Sequence, residues 1–285
     1  MKTAAKDAGP YPGEIAMANF KAVTNSEQAR SADQTLRIYL KEAKYEFLKN
    51  LRIPRYSLSV IFFPLMFYIL FGLVMGRQTV GGVNIAAYLI GTYGVFGVMG
   101  ASLFGTASGL AAERGLGWLE VKRASPMPPF AYFVAKVVMS TIFSSAVVLL
   151  LLAMGIAFGG VRLPLAQTVR LVTTLVAGSL PFCAMGLALG YFIGPNSAPA
   201  FINLFYLPLS FCSGLWVPFI FLPKAVRQIA QFLPPYHLAQ LALEAIGAGQ
   251  HQSNWMHWEV LLGFTLICLG IARLGFQRDE NKLYG

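Results

Sequence analysis

Charge is what this 285-residue chain has least of: 12% of its residues are Asp, Glu, Lys or Arg, against about a quarter in an ordinary soluble domain. With 56% hydrophobic residues and a mean hydropathy of +0.60, that deficit excludes a water-soluble globule. Cysteine is scarce too. Cys183, Cys212 and Cys268 stand singly inside apolar runs, which excludes a disulfide framework and leaves them as small apolar fillers. The three histidines, His237, His251 and His257, are 14 and 6 positions apart, a spacing that fits no common zinc site. No Gly-x-x-x-x-Gly-Lys-Ser/Thr run occurs, so the chain lacks the phosphate loop by which ATP is bound and hydrolysed. Nor does an ionisable residue fall in the middle of an apolar run; Lys136, Arg170 and Glu259 all stand at run ends. A proton or ion relay needs such residues within the bilayer, and an intramembrane protease needs a base there. The polar first ~50 residues hold no apolar core of the kind a cleavable signal carries, so insertion is expected to use the first span itself.

What the chain has in abundance is uncharged length. Ser57–Gly76, Ile85–Ala112 and Val137–Val161 are each long enough for the ~20 residues of a spanning helix. Leu171–Pro223 contains no charge at all and is too long for one crossing at about 1.5 Å per residue. Its one strong turn signal, Gly194-Pro195-Asn196-Ser197-Ala198-Pro199, divides it in two. The last run, Val260–Ala272, reaches span length when Arg273 snorkels and Trp255 and Trp258 sit in the interfacial belt. The reading is an all-α membrane protein with six transmembrane helices, at about 57–76, 85–110, 130–158, 168–194, 199–221 and 257–276. A disordered tail, 1–33, and an amphipathic interface helix, 34–56, precede the 57–276 transmembrane domain, and a short tail, 277–285, follows it.

Lysine and arginine set the orientation. Ten precede the first span, four (Arg114, Lys122, Arg123, Lys136) lie in or beside the stretch 111–136, and three (Arg273, Arg278, Lys282) lie at the end of the last span or after it, leaving five for the other side. The positive-inside rule then puts both termini and the 111–136 loop in the cytoplasm, as an even number of crossings requires. The net charge of +10 is an orientation signal, and no nucleic-acid partner is expected. Within 34–53, Leu36, Leu40, Ala43, Phe47 and Leu51 form one helical stripe with Arg37, Lys41, Lys44 and Lys49 on other faces. Such a helix lies flat on the lipid surface; the alternative is packing on the protein's own loops. Gly91, Gly94, Gly97 and Gly100 recur every three residues, which permits close helix packing at an interface.

The charged loop carries more than a connection requires. Glu113, Arg114, Glu120, Lys122 and Arg123 alternate in sign around Gly115-Leu116-Gly117 and Trp118, and Pro126, Pro128 and Pro129 fix re-entry to the membrane. A polar rim around an aromatic anchor suits docking to a partner. At Glu113-Arg114-Gly115, Leu119-Glu120, Arg123-Ala124-Ser125-Pro126, Tyr132 and Lys136 the sequence resembles the membrane subunits of ABC transporters of the ABC-2 type (type V exporters). A second stretch, Phe211–Leu243, is similar to that family's Ser-Gly, Pro, Leu-Pro and Leu-Pro-Pro pattern. Its two short apolar faces, Val226, Ile229, Leu233 and Leu238, Leu241, Ala245, are broken by Pro234-Pro235. They predict a re-entrant extracytoplasmic helical hairpin bearing Lys224, Arg227, Ile229, Pro234 and Pro235.

The resemblance implies a permease subunit of an ATP-driven exporter in the bacterial cytoplasmic (inner) membrane. It implies a homodimer of this chain with the pathway at its interface, bound to two copies of a separate ABC ATPase that holds ATP and Mg. This chain then has no catalytic residue, no metal and no cofactor of its own. Coupling to the ATPase falls to Glu113, Arg114, Gly115, Trp118, Glu120 and Arg123, with the interface helix (Arg37, Lys41, Lys44, Phe47) beside them. Tyr88, Tyr93, Phe96, Phe205, Tyr206 and Phe211 are the pathway-lining candidates. Their aromaticity favours a hydrophobic or amphipathic drug-like molecule or a lipid as cargo, with a polysaccharide or lipid-linked glycan as the alternative. A membrane scaffold or biosynthetic enzyme is the reading from a different class, and an enzyme would need a cluster of Asp or His that the sequence does not contain.

Overall fold

The computed structural model describes residues 32–74, 78–80, 82–124, 127–128, 130–249 and 254–284. The predicted disordered tail therefore lies outside the described residues up to position 31, and Ala32 and Asp33 already belong to the first helix, α1 (Ala32–Leu51). A break at Arg52–Ile53 with Pro54 at the helix start leads into α2 (Pro54–Phe67), which continues as a π-helical turn, Tyr68–Leu73. Two short antiparallel strands, β1 (Thr79–Val80) and β2 (Val83–Asn84), precede α3 (Ile85–Leu103), whose first turn is capped by the Asn84 side chain accepting from the Ala86 N–H at 2.7 Å. After a second π-helical segment, Phe104–Ser108, the same rod ends as α4 (Gly109–Gly115). The order continues with α5 (Trp118–Ala124), α6 (Ala131–Ala157), α7 (Leu165–Ala177), α8 (Ser179–Phe192), α9 (Ala198–Cys212), α10 (Lys224–Ala230), α11 (Pro234–Ala245) and α12 (Asn254–Tyr284).

Among the described residues five helical segments are long and apolar enough to cross a membrane: Tyr56–Leu73, Ile85–Gly115, Ala131–Ala157, Leu165–Phe192 and Asn254–Asp279. The expected crossing at 199–221 is the one the structure shortens. Its helix stops at Cys212 after 15 residues, about 22 Å at 1.5 Å per residue, short of a hydrocarbon core of about 30 Å. The cause is local: Gly214 takes the left-handed conformation (φ 75°) that closes a helix C-terminus, and Leu215 N–H returns to Ser210 O at 3.1 Å. The last crossing departs the other way. A single helix runs to Tyr284, so the expected tail from 277 is helical up to that residue.

The core centres on α3, every residue of which is buried. A three-residue step on a helix turns about 300°, so each glycine of the ladder is rotated by about 60° from the one before. The ladder consequently meets a different neighbour at each step. A methyl group on Gly91 would touch Leu243 of α11 at 3.4 Å, one on Gly94 would press Leu175 of α7 at 2.7 Å, one on Gly97 would overlap Val147 of α6, and one on Gly100 would lie 2.8 Å from the Tyr206 hydroxyl of α9. These glycines therefore build the inside of one protomer instead of a single face for another chain. The stretch expected to form the hairpin holds two short helices, α10 and α11; α10 is mostly exposed, whereas α11 is buried nearly throughout, against α3, α7 and α12.

Gly186 of α8 is the tightest of these close approaches, since a Cβ there would overlap Thr106 Oγ1. Gly186→Ala is expected to destabilise the fold by about 1–3 kcal/mol, the usual cost of overpacking. Thr106→Ala in the same chain should restore part of the loss by removing the oxygen. Thermal unfolding of the detergent-purified variants checks this, and an unaltered midpoint in Gly186→Ala would refute the close contact.

Candidate functional site

Lys136, near the start of α6, has no exposed surface at all. A buried ammonium is costly unless paired, and two carboxylates from different elements reach it: Glu46 of α1 at 2.9 Å and Glu113 of α4 at 3.5 Å. Lys49 bonds both acids from the outer side, Glu46 at 2.7 Å and Glu113 still closer, and Asn50 donates to the Glu46 carbonyl at 2.9 Å. Gly109 leaves the space, since a side chain there would begin 2.9 Å from the Lys136 Nζ. Burial by itself pushes the Glu46 carboxyl up, but the attraction of Lys136 and then of Lys49 outweighs it and holds the group at about 2. Burial likewise lowers the Lys49 ammonium, and Glu46 and Glu113 outweigh that and raise it. The ring of Tyr132 lies 4.8 Å from the ammonium of Lys136 and 4.8 Å from that of Lys122, and Lys122 pairs back to Glu42 of α1.

The next residue, Arg114, turns to the opposite side of α4. Its Nε and Nη2 grip both oxygens of Asp279 on α12 at 2.9 and 2.8 Å, and Nη1 donates to the Gly190 carbonyl of α8 at 3.0 Å. Gly115 completes the seat, since a side chain on it would strike Pro195 Cγ in the turn between α8 and α9, at 2.5 Å. Adjacent residues thus tie α4 to α1 and α6 on one side and to α8 and α12 on the other.

Beyond this seat, Gly117 adopts φ 71°, the left-handed conformation glycine tolerates, and reverses the chain into α5. There Leu116 (73% exposed), Trp118 (57%) and Val121 (60%) stand in the open, with Glu120 exposed beside them and Leu119 turned inward. The six coupling candidates therefore fall into two groups. Trp118 and Glu120 face outward, while Gly115, though exposed, abuts Pro195. Glu113 and Arg114 are internal struts, whose removal takes one of two carboxylates from Lys136 and a bidentate fork from Asp279 before it alters any docking surface. Arg123 lies on α5 with its side chain outside the described residues.

On α1, Arg37, Lys41 and Lys44 are exposed, while Phe47 packs on Phe143 at 5.5 Å between ring centroids. The apolar stripe expected to face outward is divided: Leu36, Leu40 and Leu51 are exposed, and the neighbouring face, with Glu46 and Asn50, packs on α6. Among the pathway candidates Tyr88, Tyr93, Phe96 and Tyr206 are buried in the protomer. Phe96 and Tyr206 stack at 4.8 Å, and the Tyr206 hydroxyl donates to the Phe96 carbonyl at 3.0 Å. Their place is the core, because these rings fill the space that the ladder glycines leave open. Phe205 and Phe211 are the exposed pair. In the outer hairpin Lys224 and Ile229 are exposed, Arg227 is half-buried, and Pro234 and Pro235 are buried.

Sequence reasoning missed Glu46, Lys49, Asn50 and Asp279, and treated Lys136 as a flank. The available signal was the acid–base sequence of Glu42, Glu46 and Lys49 on α1. It also missed a pairing at the opposite end, where His237 Nδ1 lies 2.8 Å from His257 Nδ1 and His237 Nε2 lies 2.9 Å from the Gln231 carbonyl. A carbonyl only accepts, so Nε2 of His237 carries the hydrogen, and its bare Nδ1 accepts from His257. Burial lowers the His237 imidazole, against the opposing pull of the Gln231 carbonyl. His251 lies outside the described residues, and among those described no three metal-ligating side chains converge.

The ion cluster makes a sharp prediction. Lys136→Met leaves two buried carboxylates with only the half-exposed Lys49 between them and should cost up to about 3–5 kcal/mol. The triple variant Lys136→Met, Glu46→Gln, Glu113→Gln should recover much of it. Because the folded Glu46 lies at about 2 against 4.5 in the open chain, the unfolded chain binds more protons between those values. The native protein should hold this stability above pH 4.5 and lose it as pH falls toward 2, and Lys136→Met should flatten that acid slope. Unfolding midpoints across pH test both statements, and an unchanged acid slope in the variant would refute the pairing.

Comparison with known proteins follows this geometry. The family described as ABC-2 type transporter matches residues 42–246, from Glu42 on α1 through the charged loop to the end of the outer hairpin. The chain is also similar to the protein named "Putative transport permease YvfS" of Bacillus subtilis (strain 168), with 23% identity over 245 residues covering 86% of this chain and 99% of that one. The match takes in the seat of α4 and the exposed α5 together, and the chain belongs to the ABC-2 type transporter family, as the membrane subunit of an ABC system.

Proposed function

We propose that this chain is the permease subunit of an ATP-driven exporter, a homodimer whose interface forms the pathway, with two copies of a separate ATPase that binds ATP and Mg docked on the α5 ridge. The observation that carries the reading is the contrast at the α4–α5 junction. Leu116, Trp118 and Val121 project into the open, while the segment that presents them is fixed by charge pairs on two sides. A solvated connecting loop gains nothing from such anchoring; a loop that receives a push must be stiff. Trp118 is the aromatic anchor, Glu120 its polar rim, and Glu113 and Arg114 pass the motion to four helices. Both termini and this junction are cytoplasmic in the inner membrane, and α9 with the Gly214–Pro218 segment makes up the fifth of six crossings. Phe205 and Phe211 are the aromatic part of the surface left for a second copy and for a hydrophobic or amphipathic cargo.

Trp118→Ala and Leu116→Ala remove exposed side chains, so stability should change by no more than about 0.5 kcal/mol. Co-purification with the ATPase and ATP-dependent transport should both be lost. Retention of both at wild-type levels would sink the docking assignment. Topology has its own check. In a variant with Cys183, Cys212 and Cys268 replaced, a single cysteine at Lys224 should label from outside and one at Lys122 only from the cytoplasm. Labelling of both from one side would overturn the six-crossing arrangement.

A further inference from the structure

A cleft of about 320 Å³ opens behind the α4 seat, lined by Arg114, Tyr191, Gly194, Pro195, Arg278 and Asp279 among others. That is within the size of small-ligand sites, roughly 300–1,000 Å³. Its walls are the ends of three crossing segments, Ile85–Gly115, Leu165–Phe192 and Asn254–Asp279, so it sits at the level where the bilayer meets water. Glycines keep it open: neither Gly115 nor Gly194 projects a side chain into the space, and Gly275 allows the Tyr191 wall to close on α12, since a Cβ there would lie 2.5 Å from Tyr191 Cβ.

The charge balance selects the ligand. Asp279 is engaged on both oxygens by Arg114, so between these two residues the charges cancel. An arginine has five N–H donors, of which Arg114 spends three, two on Asp279 and one on the Gly190 carbonyl. Two remain. Arg278 lines the same cleft, is exposed, and pairs with no acid among the described residues. Among the described residues this leaves one uncompensated positive charge, whose planar fork lines the cleft with a second fork's spare donors and matches one singly charged phosphodiester. Beside the opening Phe192 is 54% exposed, an apolar wall for the part of a ligand that is not phosphate.

We propose that this cleft binds the headgroup of an anionic phospholipid from the cytoplasmic leaflet, with the phosphodiester held by Arg278 and the free donors of Arg114 and the acyl side against Phe192. Basic pockets between spanning helices on that side of a membrane are the usual seats of such headgroups. A free phosphate ester shares the charge but has no use for the Phe192 wall or the bilayer level. The proposal is independent of the cargo and of the ATPase contact; it rests on the charge-rich end of the bundle being the cytoplasmic one.

The test uses the full chain, purified and challenged with phosphatidylglycerol, phosphatidylcholine or inorganic phosphate, with bound lipid counted by native mass spectrometry and stability followed by thermal unfolding. Phosphatidylglycerol should be retained and should raise the unfolding midpoint, and Arg278→Gln should lower its retention roughly tenfold, the loss of a charge-assisted contact. Arg273→Gln, an exposed arginine on the same helix but outside the cleft, should leave retention unaltered. Equal retention by the wild type and Arg278→Gln, or equal retention of phosphatidylcholine, overturns the site. Displacement of the lipid by equimolar inorganic phosphate overturns the lipid as its source. Loss of ATPase association in Arg278→Gln with lipid retention intact reassigns the cleft to an acidic segment of the partner.

Discussion

One ammonium group governs how the charge-rich end of this protein is put together. Lys136 sits with no exposure to solvent on a helix that crosses a membrane, where an unpaired charge costs several kcal/mol. Neither of its acids comes from its own helix. Glu46 must arrive on α1 and Glu113 on α4, and the three elements are therefore obliged to meet. Placing α1 against α6 in turn fixes which side of α1 faces away, leaving Leu36, Leu40 and Leu51 outward beside the exposed Arg37, Lys41 and Lys44. A helix with this pattern is held by the protein along one face and suited to lipid along the next, so the lipid-surface reading and the protein-packing reading each describe one side of it.

The same requirement explains the local sequence of α4. Successive residues on a helix point about 100° apart, so Glu113 and Arg114 cannot serve one partner. They serve opposite ones, an acid toward Lys136 and Lys49, a base toward Asp279 and the Gly190 carbonyl. An arginine suits the second position because the target is a carboxylate plus a helix-end carbonyl, which a planar fork reaches together. Gly109 and Gly115 flank the pair for a steric reason, to admit Lys136 on one side and Pro195 on the other.

Much of this was legible before any coordinates. Long uncharged runs betray crossing helices because the bilayer leaves few alternatives, and five of the six expected spans coincide with a helix long and apolar enough to cross. Proline and glycine marked the outer helices for the same reason that they stop them. What periodicity does not carry is the identity of the neighbour. The glycine ladder signals close packing, yet whether it faces another chain or four helices of its own depends on how a three-residue step precesses around a surrounded helix. Aromatic residues in α3 and α9 are likewise equally apt for a pathway or a core until the partner helices are known. Asp279 stood in a predicted tail, and nothing local to it announces that Arg114, 165 positions earlier, will take both its oxygens.

These placements decide how motion at the exposed loop would travel. Ile85–Gly115 is one helical rod of 31 residues, so its loop end and its buried core are parts of one body. A tilt of α4 would reach α3 only through the turn that joins them, and α3 has no free surface on which to slip. Its glycines rest on α11, α7, α6 and α9 in turn, so displacement reaches the outer helices through direct contact, with no chain of intermediates to invoke. The π-helical segment Phe104–Ser108 lies between the charged seat and the glycine ladder, and such wider turns are where helices bend most readily. A rod stiff at both ends and compliant at one turn converts a push on the loop into rotation of the core about that turn. At the loop end charge pairs resist separation, whereas at the far end α11 and α12 are joined by apolar packing and a neutral histidine contact, which has no strong Coulomb attraction to overcome. The two ends of the rod therefore differ in what holds them, charge pairs at one and apolar packing at the other.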